Sequence, residues 1–171
     1  MSALLRSDRR GSAGAEMAMV LPLLLTILFG SVELGNYFRS EHILLKGVRN
    51  GAVYAARQDV ITNYNCAAGP VTVPGGVVSQ TKQLVRTGGL GGDTDLLPKW
   101  ADGSTSFAVT ADCVTSAGGT NLSGIYLVNG SNVPVITVTA DLPYGSVLGT
   151  LGLPSPDIRL KASQQSAATG I

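Results

Sequence analysis

Glu16 is the residue of this 171-residue chain whose position most clearly indicates chemistry, because it is the one charge in a membrane-length apolar segment. The segment runs from Gly11 to Val32 and, at about 1.5 Å per helical residue, reaches roughly 33 Å against a bilayer core of about 30 Å. A carboxylate there opposes insertion, by about 2.5–3.5 kcal/mol at the centre of a helix and by less near the interface. Glu16 lies five residues after Gly11, which directly follows Arg9-Arg10. This spacing indicates that the carboxylate has a function that offsets the cost of its insertion into the membrane.

Cys66 and Cys113 are the two cysteines of the chain. A cysteine pair in an exported domain usually forms a disulfide, and closing a loop of this length would stabilise by about 4 kcal/mol in the chain-entropy model. Export favours this bridge over the alternative of two buried free thiols. There is no CxxC pattern and the chain has one histidine, so we predict neither a zinc site nor any other metal site.

The other polar candidates lack a recognisable arrangement. His42 has no nucleophile or metal ligand at a meaningful spacing and is expected on the surface of a helix. Asp93, Asp95 and Asp102 do not follow the EF-hand spacing and are expected in a solvated loop. The glycine run at 88–92 lacks the patterns that bind phosphate. We therefore predict no catalytic residue, no cofactor and no enzymatic activity.

The amount and distribution of charge indicate a membrane protein rather than a nucleic-acid-binding protein. Charged residues make up 13% of the sequence and the formal net charge is +1, so a nucleic-acid partner is not expected. The first ten residues carry three arginines and one aspartate. A basic flank before an apolar segment predicts a cytoplasmic N-terminus and a translocated remainder. We predict a single-pass membrane protein with residues 1–11 cytoplasmic, residues 12–32 spanning the membrane and the C-terminal domain translocated.

Beyond Val32 the helical pattern continues but becomes amphipathic, which predicts a second helical region over residues 33–60, outside the membrane. Glycines at 35, 47 and 51 weaken this helix and would allow a neighbouring backbone to approach closely. The apolar positions expected to face the domain recur at steps of three, four or seven: Leu34, Phe38, Leu45, Val48, Ala52 and Ala55.

Residues 61–171 are predicted to form a small α+β domain. Helical spacing from Val77 to Val85 ends at Gly88-Gly89. Alternation of apolar and polar residues predicts antiparallel strands at 106–113, 133–142 and 157–163, and Asn129-Gly130-Ser131-Asn132 predicts a hairpin turn between 125–128 and 133–142. The predicted fold is α+β, with the long N-terminal helix packed on a small antiparallel sheet.

An apolar loop at 147–153 follows the second of these strands. Two interpretations fit its composition. It covers the core, or it forms a patch that contacts a partner or the membrane surface.

Three blocks of this sequence resemble the TadE-like family, the pseudopilins of tight-adherence (Tad/Flp) pilus systems. They are residues 9–38, 51–58 and 134–163. The first block carries the E-x-A-x-V-x-P-L-L-L run from Glu16 and the E-L-G run from Glu33. Met17 stands where major Flp pilins have tyrosine, which fits a minor component better than the main fibre subunit. The segment at 63–105 matches no family pattern.

The resemblance implies a pilin-like fold, a processing site and a role in a fibre. A prepilin peptidase would cleave after Gly11, which makes Ser12 the first residue of the mature chain and Glu16 the fifth. The Glu16 carboxylate of one subunit would then attract the Ser12 amine of its neighbour, so that each offsets the desolvation cost of the other. The alternative for Glu16 is that it snorkels to the interface or is protonated.

The expected partners are the inner membrane, the peptidase, and other Tad components: pilin, pseudopilins and the membrane platform. The expected function is that of a minor pseudopilin in the assembly or initiation of an adhesive pilus. The alternative function is a membrane-tethered periplasmic binding module unrelated to a fibre.

Overall fold

The computed structural model describes residues 9–152 and 157–170. One long helix, α1 (Arg9–Ala56), carries a small domain on its second half. The domain holds a three-stranded antiparallel sheet and a second main helix, α3 (Gly75–Thr87), with the short helices α2 (Val60–Asn63) and α4 (Val147–Thr150). The predicted α+β fold, a long helix with a small antiparallel sheet, is confirmed. Most of the predicted leader, residues 1–8, lies outside the described residues.

The sheet has the order β1-β2-β3, with β1 at Ser106–Thr115, β2 at Asn132–Pro143 and β3 at Arg159–Ala167. Both neighbouring pairs are antiparallel. Alternate residues of β2 are buried because α1 covers one face of the sheet. The buried side chains at the centre of this layer are Leu44 and Val48 of α1 with Ile136, Val138 and Leu142 of β2.

Helix α1 ends at Ala56, a few residues before the end we predicted, because tertiary contacts satisfy its last carbonyl groups. The backbone amides of Thr169 and Gly170 donate to the Ala56 carbonyl at 2.7 and 3.3 Å. The hydroxyl of the fully buried Tyr64 donates to the Ala55 carbonyl at 2.8 Å. Burial, with a smaller contribution from Tyr54, raises the pKa of Tyr64 to about 12, so this hydroxyl stays a donor.

The prediction of which residues of α1 face the domain was partly wrong. Leu34, Phe38 and Leu45 are exposed, while the residues buried against the domain include Ser40 and Leu44 with Val48, Ala52 and Ala55. A helix can lie close to a sheet where its side chains are small, so a line rich in Ala and Gly faces inward and the larger apolar residues lie beside it.

The predicted hairpin at 129–132 was also wrong. Residues Gly124–Asn129 form a 3₁₀ helix, and both edges of β2 are occupied by β1 and β3, so no place remains for a strand at 125–128. The Asn129 side chain is buried, and its Oδ1 accepts a hydrogen bond from the Cys66 backbone amide at 2.8 Å. A residue that resembled a turn signal therefore anchors a distant segment.

The predicted helix beginning at Val77 is confirmed as α3, and Gly88 caps it with a left-handed φ of 81°. Helix α3 packs directly on the glycines of α1. A Cβ added at Gly47 would lie 2.9 Å from the Val85 carbonyl oxygen, and one added at Gly51 would lie 2.5 Å from Val85 Cγ2. A Cβ added at Gly35 would meet nothing within 4 Å. The predicted close approach therefore occurs at two of the three glycines.

Candidate functional site

The first half of α1 is an apolar rod. Side chains from Gly14 to Val32 are exposed, and the helix contains an apolar stretch with a mean hydropathy of 2.1 and none of it buried. It is the one helix among the described residues that is long and apolar enough to cross a membrane. The second half is held by the domain, so one continuous helix joins a lipid-compatible segment to a folded domain.

Gly11, Ser12 and Glu16 lie near the start of this helix, and Glu16 is exposed. Ser12 and Glu16 are four residues apart, which is about 6 Å along the helix axis. Two parallel copies of α1 that are shifted along their axes by about 6 Å would bring Glu16 of one copy level with Ser12 of the other. This spacing is compatible with the predicted subunit contact.

Where the apolar rod meets the domain, a polar cluster fastens α1 to the end of the sheet. The backbone amide of Leu148 donates to Glu33 Oε2 at 3.0 Å, and the Tyr144 hydroxyl donates to the Glu33 carbonyl at 3.2 Å. The Asn36 side-chain amide donates to the Tyr144 hydroxyl at 2.8 Å. The Tyr37 and Tyr144 rings meet edge to face at 5.4 Å. We call Glu33, Asn36, Tyr37 and Tyr144, with the backbone of Leu148, the junction cluster.

The Glu33 carboxylate is held in its charged form. Partial burial would raise the pKa of this carboxyl group, but interactions with the Ser146 hydroxyl and the Leu148 amide outweigh burial and place the pKa below its usual value. A charged group one residue beyond the apolar segment therefore fixes α4 against α1. In the sequence, Glu33 was recognised only as part of the E-L-G run, and the signal for its role was a carboxylate at the edge of an apolar run.

The disulfide is formed between Cys66 and Cys113, whose Cα atoms are 5.7 Å apart. Cys66 begins a short 3₁₀ helix, Cys66–Ala68, which lies beyond the end of α1, so the bridge ties this segment to β1. Beside it a groove of about 630 Å³ runs between Pro70–Val73 and the outer edge of β1.

The remaining predicted candidates do not gather into a site. His42 is exposed on α1, Asp95 pairs with Arg86, and Asp102 accepts hydrogen bonds from the backbone amide and hydroxyl of Ser104. The two bonds from Ser104 are the main reason why the pKa of Asp102 is lowered. Over residues 9–152 and 157–170, no three His, Cys, Asp or Glu side chains are grouped in a way that could hold a metal ion.

Comparison with known families identifies the N-terminal segment. The family model described as TadE-like protein matches residues 11–53, about a quarter of the chain, and confirms the resemblance over this segment. The searches of curated proteins and of solved structures returned no match. Residues 11–53 are thus similar to TadE-like proteins, and the long apolar helix near the N-terminus is compatible with membrane anchoring.

Proposed function

We propose that this protein is a membrane-anchored minor pseudopilin that takes part in the assembly or initiation of a Tad-type adhesive pilus. The observation that carries the proposal is the single helix α1, which is exposed and apolar in its first half and forms the spine of an α+β domain in its second half. The TadE-like match covers residues 11–53 and so spans both halves. The role is structural rather than enzymatic.

In this function the helix spans the inner membrane, residues 1–11 are a cytoplasmic leader and the domain is periplasmic. A prepilin peptidase removes the leader after Gly11. The domain then presents a rigid body to other pilus components, because the junction cluster and the packing of α3 on Gly47 and Gly51 leave little freedom between helix and domain.

Co-expression with a prepilin peptidase tests the processing step. We expect the mature chain to start at Ser12 and Gly11→Leu to remain uncleaved, because a bulky side chain hinders access to the peptide bond. Gly14→Leu is the matched control: a Cβ at this position meets nothing within 4 Å, and the residue lies beyond the cut. The N-terminal mass distinguishes these outcomes. An intact Met1 in the parent would contradict the proposal.

Substitution of Glu16 tests the subunit contact. Glu16→Leu should insert and be processed like the parent, because removal of a carboxylate does not hinder entry into lipid. It should cross-link less to other pilin-like subunits, since the neighbouring Ser12 amine loses its counter-charge where the dielectric constant is low. Met17→Leu, next to it on the exposed helix, should behave like the parent. Normal cross-linking and piliation with Glu16→Leu would rule out the pairing.

The groove between Pro70–Val73 and β1 favours a second candidate function, a membrane-tethered binding module unrelated to a fibre. Within residues 9–152 and 157–170, β1 is an edge strand that pairs on one side only, with β2. A mature chain that retains Met1, together with normal piliation in cells that lack the protein, would favour this alternative.

A further inference from the structure

The segment Val147–Gly152 lies at the level where α1 leaves the membrane under the proposed function. Its Leu148 amide is 3.0 Å from the carboxylate of Glu33, which directly follows the predicted end of the span at Val32. The polar interface of a bilayer extends roughly 5–8 Å beyond the hydrocarbon on each side. Tyr37, the member of the junction cluster farthest along α1, lies about 7.5 Å beyond Val32, so the α1 residues of the cluster fall within this zone.

We call the segment Val147–Gly152 the tip, and the composition of this part of the chain suits contact with lipid. The 15 residues from Leu142 to Pro156 carry no charged side chain. Within the described part, α4 has no buried residue, and Leu151 is 66% exposed. Among the described residues, none covers Leu151, so an apolar side chain is exposed at the end of the domain that is nearest the membrane under the proposed function.

The backbone of the tip is prepared for a poorly hydrated environment. The amide of Leu148 donates to Glu33, and that of Gly149 donates to the Ser146 hydroxyl at 2.9 Å. The amides of Thr150, Leu151 and Gly152 donate to the carbonyl groups of Ser146, Leu148 and Gly149. Unpaired backbone amides would oppose entry into the interface, and all five of these amides are paired.

Two cations lie beside the tip. Arg39 and Lys99 line separate cavities of about 230 and 390 Å³, and both cavities are also lined by Gly145, Ser146 and Thr150. Cationic side chains next to an apolar tip match the anionic headgroups at a membrane surface.

We infer that the segment 147–152, with Leu151 foremost, is a second membrane contact that rests in the headgroup region beside the point where α1 emerges. This contact rests on the proposed anchoring of α1. The partner is the lipid surface itself. Glu33 holds the tip at this height, so the domain is fastened to the bilayer at two points, which limits tilting of the domain about the helix.

Tryptophan fluorescence in lipid vesicles tests the inference on the full chain. Leu151→Trp is compared with Leu127→Trp, a matched control that is 70% exposed and lies on the 3₁₀ helix at the opposite end of the domain. Each variant is reconstituted in an equal mixture of phosphatidylcholine and phosphatidylglycerol with brominated acyl chains. The parent, with its single buried Trp100, supplies the background emission.

We expect the tryptophan at 151 to emit at shorter wavelength and to lose emission in brominated lipid, while the one at 127 does neither. Leu24→Trp, in the exposed apolar half of α1, reports on the anchor. Quenching at 24 without quenching at 151 would overturn the second contact and leave the anchor standing. Absence of quenching at both positions would overturn the anchor and the second contact together.

Discussion

The packing of α3 on the glycines of α1 gives the sharpest test of the fold, through the pair Gly47→Ala and Gly35→Ala. Both glycines lie in the same helix. A Cβ at Gly47 would lie 2.9 Å from the Val85 carbonyl oxygen and 3.4 Å from Val85 Cγ1, whereas a Cβ at Gly35 would meet nothing within 4 Å. The nearest contact at Gly47 is a backbone atom, so α3 itself must move to admit a methyl group.

The expected difference in the free energy of unfolding between the two variants follows from two contributions. Replacement of glycine by alanine inside a helix stabilises by about 1 kcal/mol at either position. Overpacking a close contact costs about 1–3 kcal/mol and applies at Gly47 alone. Gly35→Ala should therefore raise the free energy of unfolding, and Gly47→Ala should fall below Gly35→Ala by about 1–3 kcal/mol, since the propensity term cancels in the comparison. At about 4 °C per kcal/mol, the two Tm values should differ by roughly 4–12 °C.

The assay is thermal unfolding of the full chain in detergent, followed by near-ultraviolet circular dichroism and by the emission of the buried Trp100. Far-ultraviolet spectra check that both variants retain the helix. If Gly47→Ala raised Tm as much as Gly35→Ala does, α3 would not lie against α1 at this position, and the explanation of its glycines would fail.

Two further predictions concern the disulfide and the junction cluster. Cys113→Ser should lower the free energy of unfolding by about 2–4 kcal/mol, because the bridge spans 47 residues and restricts the unfolded chain. Chemical denaturation of the parent and the variant measures this difference. Alkylation of two thiols in the unreduced parent would contradict the presence of the bridge. The folded-state pKa of Glu33 lies below its ordinary value of 4.5, so its charge contributes stability above about pH 4.5 that is lost as the pH falls through the folded pKa. When the pH is lowered from neutral to below 4.5, the parent should thus lose more stability than Glu33→Gln. If the Tm values of the two proteins changed in parallel with pH, the Glu33 carboxylate would not stabilise the fold.

The features that depend on local pattern were predictable from the amino-acid sequence. The apolar run from Gly11 to Val32 required a helix that lipid could accept, because a helix satisfies its own backbone groups. Alternation of apolar and polar residues identified the three strands, since the strand repeat is two residues. A lone pair of cysteines in a chain predicted to be exported indicated the disulfide, which the structure contains.

Which surfaces of α1 contact the sheet and α3 depends on the packing of the whole fold. Leu34, Phe38 and Leu45 are as apolar as the residues that are buried, so hydrophobicity alone could not select the inward side of α1. The selection depends on size, because Gly47 and Gly51 admit α3 while the alanines let α1 lie close to the sheet. The amide of Asn129 and the carboxylate of Glu33 acquired their roles from partners 63 and 115 residues away, Cys66 and Leu148, which no local pattern encodes.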